Sequence, residues 1–177
     1  MGHRGLRYIF LRLLILLVSD RDGDLPRAKH IRLPDFPYRD SAPAYHVTIC
    51  ANRPARPFND PRLAASIIDT LNWLRENRGV EIYGYCLMPD HLHLLLRLTK
   101  PNWTLSQVIH SFKSVTTRKA WALDYEGTIW QRRFYDHILR KSEDASEIVR
   151  YMLANPVRAG LVEDPDDYPY SGILDPL

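Results

Sequence analysis

Two strand-like segments separated by only two residues constrain the fold of this chain more than any other feature. Residues 80–88 read VEIYGYCLM and residues 91–98 read HLHLLLRL. In the second segment a leucine occupies every other position, which is the alternation expected of a strand with one buried face. Pro89 and Asp90 leave room only for a tight turn. The two strands should therefore pair antiparallel.

The segments around this hairpin complete the predicted architecture. Residues 44–50 alternate as a strand does, and residues 129–139 are also strand-like. Asp60, Thr104 and Ser142 each precede apolar residues at helical spacing and can cap a helix. The predicted order is strand, helix, strand, strand, helix, strand, helix. That order predicts an α+β fold, a ferredoxin-like antiparallel sheet with helices packed on one face.

The composition excludes several classes of protein. Of the 177 residues, 45% are hydrophobic and 25% are charged, so the chain can bury a core and wholesale disorder is excluded. Its two cysteines, Cys50 and Cys86, cannot form a disulfide framework or a four-thiolate zinc site. They are typical of buried residues in a reducing compartment, so we expect a cytoplasmic protein.

The amino-terminal region contains the longest apolar run. Residues 9–18 read IFLRLLILLV, which is shorter than the ~20 residues of a spanning helix and is interrupted by Arg12. We therefore expect no membrane association. Arg4 and Arg7 resemble the start of a signal peptide, but no small-x-small cleavage site follows. We expect residues 1–30 to form a leader or disordered arm outside the core, and residues 31–177 to form one domain.

His91 and His93 are the first candidates for a functional site. Side chains two apart in a strand share a face at a separation of about 6.6 Å, so both imidazoles lie opposite the leucine face. Two imidazoles in this arrangement can reach one metal ion, because metal–nitrogen bonds are about 2.1 Å long. The alternative is two polar residues on a solvent-facing strand, because two ligands seldom make a site. A third ligand is needed.

The last predicted helix offers further candidates. Tyr151 and Asn155 are four residues apart and so share one helix face, with Glu147 one turn earlier. Asn155 can supply a carbonyl oxygen to an ion, Tyr151 a phenol, and Glu147 a ligand or a proton acceptor. From the residues alone, Tyr151 is as well explained as an amphipathic side chain packed at a helix edge.

Four separated motifs stand out along the chain. They are YHVT at 45–48, YGYCLMPDHLHLLL at 83–96, IWQRRFYDHILR at 129–140 and IVRYMLANPVRAGLV at 148–162. In this order and spacing they resemble the motifs of the REP-associated tyrosine transposases, relatives of the single-strand insertion-sequence transposases in the HUH nuclease superfamily. The resemblance runs from about residue 31 to residue 171. It implies a ferredoxin-like fold and a DNA endonuclease that depends on a divalent metal.

The resemblance also implies roles for individual residues. His91 and His93 match the metal-binding histidine pair, and Tyr151 matches the nucleophile. Asn155 stands where the insertion-sequence relatives carry a glutamine ligand, and it is one methylene shorter. The implied cofactor is Mg²⁺ or Mn²⁺. The implied reaction cuts and rejoins single-stranded DNA at palindromic or hairpin repeats through a covalent 5′-phosphotyrosine, in a protein that is a monomer or a homodimer.

The middle of the chain is basic, with seven Lys and Arg residues against three Asp and Glu residues between positions 113 and 141. Given the resemblance, the predicted DNA-binding residues are Lys113, Arg118, Lys119, Arg132, Arg133 and Trp130, with Phe134 as an alternative stacking residue. On charge alone, an ordinary solvated helix face explains this region equally well. His46 is interpreted as a strand histidine with a satisfied hydrogen bond.

Two other functions are compatible with the same residues. The first is a domesticated, non-catalytic protein that binds DNA or RNA hairpins on the same fold. The second is a small metallohydrolase that activates water between His91, His93 and Glu147.

Overall fold

The computed structural model describes residues 43–52, 56–139 and 144–177. The strands are β1 (Ala44–Cys50), β2 (Val80–Met88), β3 (His91–Leu98), β4 (Tyr135–Ile138) and β5 (Ser171–Gly172). The helices are α1 (Pro61–Arg78), α2 (Leu105–Trp121), α3 (Ala145–Leu153) and the single turn α4 (Asn155–Arg158). All strand pairs are antiparallel, and the strands lie in the order β4-β1-β3-β2-β5. The predicted α+β class and antiparallel sheet are confirmed.

Local sequence signals begin and end these elements as expected. Asp60 accepts a hydrogen bond from the backbone N–H of Arg62 at the start of α1, and Thr104 forms a capping box with Gln107 at the start of α2. Gly79 ends α1 with a φ of 59°, a conformation that glycine adopts without a steric penalty.

Residue alternation divides the sheet into two faces. On one face, side chains such as Leu92, Leu94 and Leu96 pack in the main core with the apolar sides of α1 and α2. On the opposite face, α3 packs its buried residues against Tyr83 and Leu95. The expected placement of helices on one face therefore holds for α1 and α2, whereas α3 covers the other face. The reason is that Tyr83 and Leu95 leave an apolar patch there, which an amphipathic helix buries.

The carboxyl-terminal part differs from the predicted boundaries. The predicted strand 129–139 is only four residues long, at Tyr135–Ile138. Trp130 forms an isolated bridge with Ala51, and residues 131–134 after it are not in a strand. The cap of α3 is Asp144, whose side chain accepts from the N–H of Ser146. Ser142, the predicted cap, lies outside the described residues.

The predictions for the amino-terminal region also fall outside the described residues, including the leader at residues 1–30 and the apolar run at residues 9–18. Within the ranges that the structure describes, no helix combines the length and the apolar composition needed to cross a bilayer.

Candidate metal and nucleophile site

His91 and His93 converge on the face of the sheet that α3 partly covers. Their Nε2 atoms are 3.1 Å apart, and both residues are at least nine-tenths buried. An ion placed about 2.1 Å from each nitrogen would make an N–metal–N angle of about 95°, which suits tetrahedral or octahedral coordination. The pair therefore has the spacing of two ligands to one ion.

The other ring nitrogens of the pair are held by neighbouring side chains. His91 Nδ1 lies 2.6 Å from the Asp90 carboxylate, which can only accept, so Nδ1 carries the proton and Nε2 presents a lone pair. His93 Nδ1 lies 3.0 Å from the Thr48 hydroxyl. Partners of this kind fix the orientation of metal-binding histidines. Thr48 and Asp90 were not predicted, although Thr48 shares its strand face with His46 and Asp90 precedes His91 directly.

Burial favours the neutral form of the His93 imidazole. The pKa of His93 lies well below its ordinary value because of burial, with smaller contributions from His91, His46 and Arg158. A neutral imidazole is the form that binds a metal ion.

His46 differs from its predicted role. Its ring stacks on His93 with 5.5 Å between centroids, but its buried Nε2 has no hydrogen-bond partner among the described residues. The prediction of a satisfied strand histidine is therefore wrong for this nitrogen. Burial, reinforced by His137 on the neighbouring strand, lowers the pKa of His46 to about 4.

No third His, Cys, Asp or Glu side chain joins the histidine pair to form a metal-binding group within the described ranges. No group of three or more His, Cys, Asp and Glu side chains in the described part of the chain is arranged to hold a metal ion. The histidine pair fits a loosely held ion whose other positions are filled by water and substrate oxygens, which is how Mg²⁺ is usually bound.

Tyr151 lies half-buried on α3, the helix on the histidine face. The guanidinium of Arg158 stacks over its ring, with Cζ 3.8 Å from the ring centroid. Burial raises the pKa of Tyr151, and the charge of Arg158 opposes that effect. Arg158 also contributes to the lowered pKa of His93.

Asn155 is less suited to metal binding than predicted. Its Oδ1 accepts a hydrogen bond from Arg158 Nη2, so the oxygen that would bind an ion already faces a cation. Its Nδ2 is buried without a hydrogen-bond partner among the described residues. A metal ion bound to Asn155 Oδ1 would be repelled by the guanidinium of Arg158. Glu147, the other candidate ligand, is exposed in the first turn of α3.

Trp130 cannot stack an unpaired base as predicted, because it belongs to the core. Its side chain is 3% exposed and packs between Phe58 and Phe112. Its indole N–H donates to the Thr116 hydroxyl at 2.7 Å, which satisfies the one polar group of a buried tryptophan. Phe134 is half-buried and lies 5.4 Å from Lys113 Nζ, measured to the ring centroid.

Lys113 holds a loop instead of standing free in solvent. Its Nζ donates to the backbone carbonyls of Gln131, Arg132 and Arg133 at 2.9, 3.4 and 3.0 Å. These contacts engage all three donors of an ammonium group, so the prediction of a direct phosphate contact is not supported by this geometry. Burial lowers the pKa of Lys113 to about 8.

The loop that Lys113 holds lies beside the histidine end of the sheet. The N–H of Gln131 donates to the carbonyl of Cys50, and Cys50 pairs with His91 across β1 and β3. Arg132 and Arg133 follow directly and are exposed. Of the predicted basic residues, these two are therefore the ones brought to the same end of the sheet as the metal site.

Arg118 and Lys119 lie on α2, which covers the opposite face of the sheet. Lys119 Nζ donates to the carbonyl of Ser66 on α1 at 3.3 Å. Arg118 bonds to Ser114 and lines an open groove of about 610 Å³ with Trp73 and Trp103. The structure does not bring these two cations to the histidine pair.

Comparison with known proteins identifies the family to which this chain belongs. The family model for IS200-like transposases matches residues 41–155. A Haemophilus influenzae protein described as a REP-associated tyrosine transposase is 34% identical over 106 residues, covering 54% of this chain and 60% of that protein. The REP-associated tyrosine transposase of Escherichia coli is 29% identical over 98 residues, covering 55% of this chain and 57% of that protein. The chain thus spans about three-fifths of the length of these relatives.

A solved structure shares the fold. The structure of a REP-associated tyrosine transposase bound to a REP hairpin superposes with a TM-score of 0.64 at 24% sequence identity, covering 81% of both chains. At this identity the similarity concerns the fold. The match of the family model covers more than half of the sequence and includes the histidine pair, Tyr151 and Asn155, so the chain belongs to the family of IS200-like transposases.

Proposed function

We propose that this protein is a metal-dependent single-strand DNA transposase that cuts and rejoins DNA at hairpin repeats through a covalent 5′-phosphotyrosine. The observation that carries the proposal is the convergence of His91 and His93 at an Nε2 separation of 3.1 Å on the face that carries Tyr151. The similar solved structure of a REP-associated tyrosine transposase bound to a REP hairpin supports the hairpin substrate, and family membership supports a transposase.

Each residue has a defined task in this proposal. His91 and His93 would hold a Mg²⁺ or Mn²⁺ ion, which supplies positive charge next to a non-bridging phosphate oxygen. Asp90 and Thr48 keep the two rings oriented. Tyr151 supplies the attacking oxygen, and Arg132 and Arg133 would contact the backbone of the DNA as it approaches the site.

The chemical step exchanges one phosphodiester bond for another and needs no external energy source. The phenol of Tyr151 loses its proton and its oxygen attacks the phosphorus. The bond from phosphorus to the 3′ oxygen breaks, and that oxygen takes up a proton. The products are a 5′-phosphotyrosine and a free 3′-hydroxyl. Because the new ester retains the bond energy, a different 3′-hydroxyl can reverse the step and join two DNA ends.

The experiment detects the covalent product. A library of hairpin oligonucleotides with random stems and flanks, labelled at the 3′ end, is incubated with the protein and Mn²⁺. The downstream fragment carries the 5′-phosphate, so a labelled adduct should migrate with the protein on a denaturing gel. The adduct should disappear in Tyr151→Phe and on chelation of the metal. The control is Tyr125→Phe, a half-buried tyrosine that bonds to Pro57 and Asp60. No adduct with the wild-type protein, or an adduct unchanged in Tyr151→Phe, would refute the proposal.

The contact between Asn155 and Arg158 favours a second candidate, a domesticated hairpin-binding protein without catalysis, because it occupies the oxygen expected to complete the metal site. This candidate predicts hairpin binding that depends on salt but not on Mn²⁺ or on Tyr151. Binding should weaken when Arg132 and Arg133 are both replaced by alanine. Fluorescence anisotropy with the same library, with and without Mn²⁺, separates the two candidates.

A further inference from the structure

Arg158 contacts both Tyr151 and Asn155, the two candidate site residues that follow one another on one helix face. Its Cζ lies 3.8 Å from the centroid of the Tyr151 ring. Its Nη1 donates to the carbonyl of Tyr151 at 3.2 Å, and its Nη2 donates to Asn155 Oδ1. Two hydrogen bonds and the contact with the ring of Tyr151 thereby hold the long, flexible side chain of Arg158 in place.

Arg158 is the last residue of the single turn α4, which packs against β2. Cys86 on β2 and His93 on β3 are directly paired. The α4 segment that carries Arg158 therefore contacts the strand that pairs with the histidine-bearing strand β3.

The remaining surface of Arg158 is available to a ligand. The side chain is exposed, and a guanidinium has five N–H donors in a planar fork that matches phosphate oxygens. Among the described contacts, only one donor on Nη1 and one on Nη2 are used. The fork is thus held in place by the α3–α4 segment while donors remain for an anion.

A phosphodiester attacked by a phenol passes through a transition state with charge on its non-bridging oxygens, and a positioned cation stabilises that charge. We propose that Arg158 is a catalytic residue that binds the phosphate attacked by Tyr151 and stabilises the charge that develops on its non-bridging oxygens. The inference rests on the proposed function, and it adds a cation supplied by the chain itself to the one supplied by the metal.

Arg150 is the matched control for this role. It lies on the same helix one residue before Tyr151 and is exposed. Among the described contacts, its charge acts on Asp144 at the start of the helix, and no contact with the Tyr151 ring is present. Replacing Arg150 removes the same charge from the same segment without removing the contact with the phenol.

The test compares two substrates that differ only in charge at the attacked phosphate. One is a hairpin selected in the adduct assay, and the other carries a methylphosphonate at the cut position, prepared as each of its two diastereomers. With the normal phosphate, Arg158→Ala should slow adduct formation by about 10²- to 10³-fold. With the methylphosphonate, which lacks the negative charge, the wild type and Arg158→Ala should differ by less than about tenfold for at least one diastereomer. Arg150→Ala should stay within about threefold of the wild type on both substrates.

The outcomes separate this inference from the proposed function. If Arg158→Ala is equally slow on both substrates, Arg158 only supports the structure and the inference is overturned. If it is as fast as the wild type on the normal phosphate, the inference is also overturned. Arg158→Gln, which removes the charge but keeps a side chain that can donate hydrogen bonds, provides the same comparison if the alanine variant fails to fold. Adduct formation by the wild type in all these cases leaves the proposed function intact, whereas its absence refutes the function itself.

Discussion

The Thr48 hydroxyl lies 3.0 Å from His93 Nδ1 across the pairing of β1 with β3. The two residues are 45 positions apart in the sequence, yet they are direct partners in the strand register. Through this contact the first strand of the sheet sets the orientation of an imidazole on the third. The proposed metal site therefore depends on a residue that does not touch the ion.

Thr48→Val removes this contact while keeping the shape of the side chain. Without the hydroxyl, the His93 ring loses its orienting partner, so the affinity for Mn²⁺ should fall by about 10- to 100-fold. Isothermal titration calorimetry measures this change. The control is Thr70→Val, a buried threonine whose hydroxyl donates to the carbonyl of Ser66 within α1. Equal affinities in the wild type and Thr48→Val would contradict the orienting role.

His46 makes the metal-free protein sensitive to acid. Its folded pKa is about 4, against 6.5 for an ordinary histidine, and His93 and His137 face it. As the pH falls below 6.5, His46 binds a proton in the unfolded chain but not in the folded protein. Acid therefore favours unfolding. This histidine alone should lower the free energy of unfolding by about 2 kcal/mol between pH 7 and pH 5.

Urea unfolding at both pH values in the presence of EDTA checks the prediction. Between pH 7 and pH 5, the free energy of unfolding of His46→Leu should fall by about 2 kcal/mol less than that of the wild type. The acid sensitivity that comes from other groups, including His93, should persist. An unchanged loss of stability in His46→Leu would show that His46 is protonated in the folded protein.

Lys113 and Arg132 should affect hairpin binding in different ways. Arg132 is exposed, so if it contacts a phosphate, Arg132→Ala should flatten the dependence of log affinity on log salt by roughly 0.7–0.9. Lys113 holds the carbonyls of the same loop, so Lys113→Met should weaken binding without changing that slope. Anisotropy titrations over a range of salt concentrations measure both quantities. A flatter slope in Lys113→Met would restore the direct phosphate contact predicted from the sequence.

Gly84 sets the distance between α3 and the sheet. A Cβ atom at this position would lie 3.2 Å from both methyl groups of Val149, which is closer than ordinary contact. Gly84→Ala should therefore push α3 outward, at a cost of about 1–3 kcal/mol in stability, and slow adduct formation at Tyr151. The double variant Gly84→Ala with Val149→Ala removes the clash and should recover much of the lost rate. A double variant as slow as Gly84→Ala would exclude this packing contact as the cause.

Residues near in sequence account for most of what was predicted about the fold. The hairpin of β2 and β3, the caps at Asp60 and Thr104, and the separate faces of the leucines and histidines all follow from signals within a few residues. The side of the sheet on which α3 packs does not follow from such local signals, because it depends on Tyr83 and Leu95 being left uncovered by the other helices. A pattern of apolar residues predicts an amphipathic helix without specifying which surface it will cover.

The sequence by itself determined the strand and helix order, the shared face of His91 and His93, and the single helix face of Tyr151 and Asn155, because these follow from periods of two and 3.6 residues. Only the tertiary structure decided which charged and aromatic side chains are available to contact a ligand. Trp130 is buried against Thr116, Lys113 is engaged by backbone carbonyls, and Arg158 is held against Tyr151. Burial and hydrogen bonding between distant segments are set when those segments pack, and local periodicity carries no information about them.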